Sequence, residues 1–327
     1  MTHPQQRRHF LQTAVALSAS SWLSGLHAQS LPSTLRIVVP LPAGGGVDVA
    51  VRILAEQMAK ITGSNVVVEN KVGAAGLIAA QYVNAGPGDG SVLFYGHAGL
   101  LTVQAMSGRL NLLKDFKPIT KVSASAHVLA VPASSPFKTQ AELIAAIQAK
   151  PGKYNLGSGG NGSPTHLMAE RLSDLVPGGL KFTHIPFKGS IDAMVAMLTG
   201  DIDFSFVLPG VIVEHLKTGK LRALSTTGAT RLAALPQIPT VAEAGVPGFR
   251  DEPWGAILVS SKVPDATVAR LFDAVKASAQ SPEFSGYVLK TGGTLENSKS
   301  PEALTQELRQ ALESEKVLVQ RLGLKSE

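Results

Sequence analysis

The side chains able to do chemistry in this 327-residue chain are a few histidines and serines, and their spacing argues against both catalysis and metal binding. His166 follows Ser158 and Ser163 closely enough to suggest a serine nucleophile with a histidine base. Neither serine lies in a Gly-x-Ser-x-Gly elbow, however, and the sequence places no acid to orient the imidazole. His97, His127 and His184 are dispersed, there is no His-Glu-x-x-His pair, and there are no cysteines to complete a metal site. Core or capping roles suit these histidines better; no enzyme, metal or cofactor is expected.

Glycine-rich loops carry the alternative chemistry, which is non-covalent capture of an anion. Pro42-Ala43-Gly44-Gly45-Gly46 stands between an apolar run and a helical pattern. Successive glycines let the backbone approach a ligand, and the helix that follows aims its unpaired N–H groups at the same place. Asp48 reads as the cap of that helix. The spacing matches neither a phosphate-binding Gly-Lys-Ser/Thr loop nor a dinucleotide fingerprint. A second loop, Ser158-Gly159-Gly160-Asn161-Gly162-Ser163, precedes Pro164 and adds the hydroxyls of Ser158, Ser163 and Thr165. Phe187-Lys188-Gly189 reads either as an aromatic wall beside a cation and a free amide, or as a loop whose lysine faces solvent.

These loops need elements to hold them. Short β-rich runs at 35–39, 66–69, 91–95, 119–122, 128–131, 154–157, 182–185, 202–207, 221–225 and 256–259 alternate with helical patterns at 48–62, 77–84, 139–149, 165–175 and 191–198. Three further helices are predicted over 265–279, 282–290 and 301–321, the last with Pro301 in its first turn and Gly323 at its end. Strand, short loop and helix in repetition predict an α/β protein whose mostly parallel sheets are covered on both faces. Such crossovers bring the glycine loops to one sheet edge, where open α/β folds bind ligands.

Composition narrows the partners. The chain has 30 basic and 24 acidic residues, a formal charge of +6; the first 28 residues hold Arg7, Arg8 and no acid, which leaves +4 on the remainder. That excess is dispersed, so it favours a small anion and offers no nucleic-acid surface. Residues 1–28 read as an export signal: two arginines, an apolar stretch from Phe10 to Leu26 and a small-residue site at Leu26-His27-Ala28. Both a general secretory signal and a twin-arginine signal fit Arg7-Arg8-His9-Phe10-Leu11. No other stretch is long and apolar enough to span a bilayer.

Several motifs in order resemble one family. Pro40 through Asp48 to Arg52, Val66-Val67-Val68-Glu69-Asn70-Lys71 with Gly73-Ala74-Ala75-Gly76, Pro87-Gly88-Asp89-Gly90, His184-Ile185-Pro186-Phe187-Lys188-Gly189 and Glu243-Ala244-Gly245 are similar to the periplasmic solute receptors of tripartite tricarboxylate transporters, which include the Bordetella uptake-gene proteins. The resemblance covers the whole chain after the signal. It implies a two-lobed class II periplasmic-binding-protein fold joined by crossing strands, with 31–122 plus 228–327 as the first lobe and 123–227 as the second. It further implies a monomer that binds a dicarboxylate, tricarboxylate or aromatic acid and docks on permease subunits or, alternatively, on a sensor domain. In that picture Pro42 to Gly46 holds a carboxylate, the turn Gly96-His97 lines the first lobe, and the loops Ser158 to His166 and Phe187 to Gly189 close over it. Family members often carry an aspartate where this chain has Val207, and an aromatic residue near Leu41; the valine argues against an amino-acid ligand.

Overall fold

A computed structural model describes residues 31–324, so the expected export signal at 1–28 lies outside the described residues. Strands β1 (Thr34–Val39), β2 (Asn65–Asn70), β3 (Val92–His97), β4 (Phe116–Ala124) and β10 (Trp254–Ser260) form one sheet in the order β2-β1-β3-β10-β4. Strands β5 (Val128–Pro132), β6 (Asn155–Ser158), β7 (Thr183–Pro186), β8 (Phe204–Val207) and β9 (Leu221–Thr226) form the other, in the order β7-β6-β8-β5-β9. Both sheets are built to one plan. Three neighbouring strands run parallel, and a strand antiparallel to both its neighbours follows. Four of the five strands in each sheet therefore run the same way, and the reversed one, β10 or β5, is the strand that follows a crossing between the lobes.

Helices cover both faces. On the first sheet these are α1 (Gly46–Thr62), α2 (Leu77–Ala85), α3 (Gly99–Ser107), the short α4 (Leu112–Asp115), α9 (Asp265–Ala279), α10 (Pro282–Lys290) and α11 (Pro301–Arg321). The second sheet carries α5 (Gln140–Ala149), α6 (Pro164–Leu175), α7 (Ser190–Thr199) and α8 (Pro209–Lys217). Alternation along the strands splits each lobe into two cores: Leu35, Ile37 and Val39 pack with Leu54, Met58 and Leu271 on one side of the first sheet, and Val38 and Phe94 with Leu100 and Leu308 on the other. In the second lobe, Leu129 and Val131 face Phe204, Phe206 and Leu143, whereas Val128 and Ala130 face Met197 and Ile212.

The return to the first lobe comes later than residue 228. Leu232 and Leu235 pack into one second-lobe core, and Val241, Val246 and Phe249 into the other. Gln140 Nε2 donates to the carbonyls of Val241 and Ala244 at 3.2 and 3.3 Å, which ties this passage to α5. The crossings are β4 into β5 and the segment from about Asp251 into β10; the Ser125 amide donates to the Pro253 carbonyl (2.9 Å) and joins the two. Helix α8, between β8 and β9, was not foreseen either.

Ion pairs join the lobes, and the most buried set centres on Arg171. Arg171 on α6 donates to Asp251 at 2.6 Å and also to Glu315 on α11, which accepts from Thr102 on α3 as well. Burial pushes the Asp251 carboxyl upward and the Arg171 charge opposes it. Removal of the guanidinium leaves two buried carboxylates uncompensated. Arg171→Met should therefore destabilise the protein by about 3 kcal/mol in urea unfolding, the low end of the range for breaking a buried pair, because Arg171 is one-third exposed.

Candidate binding site

The first glycine loop presents open amides. Gly44 has φ +79°, a left-handed conformation that glycine adopts without strain, and α1 starts two residues later behind Gly45, which supplies no side-chain cap. The first helical hydrogen bond runs from Val49 N–H to Gly45 O, so the amides before Val49 have no acceptor within the helix. Asp48 does not cap that end, contrary to expectation. It is the third helical residue, is buried, and reaches back to accept from Gly44 N–H (2.9 Å), Arg52 Nε (2.9 Å) and Asn70 Nδ2 (2.8 Å). The Arg52 hydrogen bond is the largest cause holding the Asp48 carboxyl at about 2; burial opposes it, and the Gly44 and Asn70 bonds reinforce it. Pro42, Ala43, Gly44, Gly45 and Gly46 are exposed, and Leu41, Gly46 and Val47 face the cleft.

The second glycine loop turns four of its amides inward. Gly159 N–H donates to Thr165 Oγ1 (3.0 Å), Gly160 to Ser158 Oγ (3.1 Å), Gly162 to His166 Nδ1 (3.1 Å) and Ser163 to Gly160 O (3.1 Å). Ser163 caps α6 by accepting from His166 N–H. Ser158 is sealed from solvent and lies 2.6 Å from His184 Nε2, and the His184 ring stacks on His166 at 3.8 Å. Because His166 Nδ1 accepts a hydrogen bond from Gly162 N–H, that nitrogen is unprotonated and the imidazole is neutral; burial and then the neighbouring His184 push it to about 4. Ser158 and His166 are thus scaffolding for the loop, and neither faces the cleft. The stacked pair joins residues 18 apart in sequence on separate elements, a proximity that spacing alone does not reveal.

Other expected residues also lie elsewhere. Gly96 is buried where any side chain would meet Leu258, Phe187 packs against the second-lobe core, and Lys188 is exposed. Gly189 is the residue before α7 and caps it with no side chain; its neighbour Ser190 faces the cleft. Val207 lies in the core with Val128 and Met197, and it is Leu208, one position on, that lines the cleft.

The cleft holds a cavity of about 550 Å³. Leu41, Gly46, Val47, Tyr95 and His97 form its first-lobe wall, and Gly159, Ser163, Thr165, Ser190 and Leu208 its second-lobe wall. The crossing strands close it with Ser123 to Ser125, His127 and Pro253 to Gly255. Gly255 is required here, since a Cβ would fall 1.9 Å from the Tyr95 hydroxyl. No Asp, Glu, Lys or Arg is among the described residues that line it. Burial pushes the Tyr95 phenol up to about 12 and holds His97 and His127 at about 4, so all three are neutral at pH 7. A second cavity of about 600 Å³, lined by Leu77, Val103, Met106 and Arg109, adjoins the first across His97, Ser163 and Pro164. Tyr95, Ser123, His127, Ser190, Leu208 and Trp254 were missed in the sequence; only the positions of strand ends and crossings could have signalled them.

Comparison with known proteins matches this architecture. The model of the tripartite tricarboxylate transporter family receptor matches residues 50–324. A UPF0065 protein in the gbd 5′ region of Cupriavidus necator is 33% identical, with 98% of each chain covered. Among solved structures, a TctC solute-binding protein from Polaromonas superposes with a TM-score of 0.80 at 28% identity, covering 89% of this chain and all of the other. A Rhodopseudomonas palustris protein with adipate superposes at 0.72 and 26% identity, covering 89% and 98%.

The depressed Asp48 carboxyl gives a pH signature. Its folded value lies below its ordinary one of 3.8, so its contribution is fully present above about pH 4 and is lost as pH falls through 2. Asp48→Asn should cost about 1.5 kcal/mol at pH 7, a modest value because Arg52 is half exposed. In urea unfolding the difference from the unaltered protein should shrink between pH 4 and pH 2; a difference constant with pH would contradict the assignment.

Proposed function

The chain belongs to the tripartite tricarboxylate transporter family of receptors, and on that premise we propose that it is an exported receptor for a small organic carboxylate, held between the lobes and delivered to a tripartite-type membrane permease. The observation that carries the proposal is the open start of α1. Helices α5, α10 and α11 are capped by the side chains of Thr139, Ser281 and Ser300, whereas α1, at the cleft, starts behind Gly45 with no side-chain cap and leaves its first-turn amides to a ligand; α7 also starts behind a glycine, Gly189, but carries Asp192 in its first turn. Those amides and the positive end of the helix favour an anion without a cationic side chain. Closure of the second lobe excludes water and strengthens the same hydrogen bonds.

No chemical step is assigned, because Ser158 and His166 are committed to the loop behind the cleft. The periplasm is the compartment that suits a receptor with the basic and apolar segment at 1–28. Delivery to a permease is tested by deletion: uptake of the bound acid should fall in the deletion strain and return on complementation.

Two measurements test capture. Calorimetric titration of the purified protein against a panel of organic acids should give binding that the corresponding amides lack; binding only of an unrelated ligand class would refute the proposal. Gly46→Pro removes one amide from the first helical position, where proline is well tolerated, and Gly45 before it is extended (φ −72°, ψ 162°) as proline requires. It should weaken acid binding about 10-fold or more, the value of one hydrogen bond to a charged group, with little change in Tm.

A further inference from the structure

We propose that the acid this protein selects is a monocarboxylate with an uncharged, largely apolar body. This rests on the carboxylate-receptor assignment above and narrows it. The two lobes differ in what they offer an anion. The first lobe holds the free amides of α1, whereas the second-lobe loop has turned four amides inward to its own acceptors. The helices beside that loop add little. Helix α7 also starts behind a glycine, Gly189, with no side-chain cap, but Gly159 packs against its first turn, where an added Cβ would lie 3.1 Å from the Ser190 nitrogen, and Asp192 in that turn opposes a second anion. Helix α8 begins with Pro209, which has no N–H, behind the apolar Leu208.

The remaining surface of the cavity agrees. Leu41, Val47, Leu208, Val211 and Trp254 are apolar, the polar remainder is neutral hydroxyls such as Ser123, Ser125 and Thr291, and among the described lining residues no charged side chain pairs with a second carboxylate. His127 is 6% exposed with Nδ1 3.3 Å from the Ser125 carbonyl; the proton lies between them, and Nε2 keeps a lone pair that repels a carboxylate and accepts from a hydroxyl or N–H. A carboxylate buried without a charged partner is disfavoured, whereas an aliphatic or aromatic body is favoured in proportion to the apolar area it removes from water. The adjoining cavity extends the apolar surface through Leu77, Val103 and Met106, and the one cation among its described lining residues, Arg109, is exposed, where an ion pair selects weakly.

Matched acids decide the matter. In calorimetric titrations of the purified protein, hexanoate should bind at least tenfold tighter than adipate, and phenylacetate at least tenfold tighter than 1,4-phenylenediacetate; diacids that bind equally well or better overturn the inference and leave the carboxylate assignment standing. Amides that bind as well as the acids overturn both. The solute retained by protein purified from its own host provides a second route: isotope-coded amidation followed by mass measurement should count one carboxyl group. Two or more groups overturn the inference alone, and none overturns the carboxylate assignment too. Leu208→Arg, at a side chain already one-third exposed, should shift the diacid-to-monoacid affinity ratio at least tenfold toward the diacid; an unchanged ratio places the body of the ligand away from Leu208 and counts against the inference.

Discussion

Asp48 makes an anion site possible by being an anion that is already fully occupied. Its carboxylate takes Gly44 of the loop, Arg52 of the same helix and Asn70 at the end of β2, so three elements converge on one buried charge. Asn70 also donates to the Leu41 carbonyl, which fixes the start of the loop as Asp48 fixes its middle. An unpaired acid one turn into the helix would repel a bound carboxylate. Paired with Arg52 and hydrogen-bonded on both oxygens, it becomes the strut that keeps the amides ahead of it pointing outward.

The two glycine loops occupy equivalent places in sheets of identical plan, yet they do opposite things. At the end of β1 the turn leaves donors open; at the end of β6 the turn closes on itself through Ser158, Thr165 and His166. A loop with its hydrogen bonds satisfied makes a firm surface, and a loop with open donors makes an adhesive one. The cleft is thus built from one of each. Behind the second loop the stacked imidazoles hold the backbone from below, and the Arg171 network fixes α6, which starts from that loop, against α11 of the other lobe. The stiffness of the closing wall comes from polar groups that never meet the ligand.

Local pattern made much of this legible. The helices at 265–279, 282–290 and 301–321 fall where apolar periodicity, proline at the first turn and polar stops place them, and the strand-to-helix grammar gives the α/β class and the sheet edge that carries the site. What escaped depends on partners far away in sequence. Whether the amide of Gly159 is free depends on Thr165, and whether Ser158 is accessible depends on His184. Periodicity shows that Val207 and Leu208 differ in facing but not which one the core claims; the pairing of Val207 with Val128 decides it. Residues 228–249 have no strong period of their own, so their attachment to the second lobe appears only once Gln140 and the cores of that lobe are in place.

Strand β10 lies between β3 and β4 in the middle of the first sheet, although the chain makes it only after the whole second lobe. On a growing chain the second lobe therefore has all its strands while the first is still two fragments with nothing between them. The edges of β3 and β4 must wait, unpaired, through the synthesis of more than a hundred residues between Ala124 and Trp254. Such edges are where a half-made protein finds the wrong neighbour, and a centrally inserted late strand places the hazard of this fold in its biogenesis.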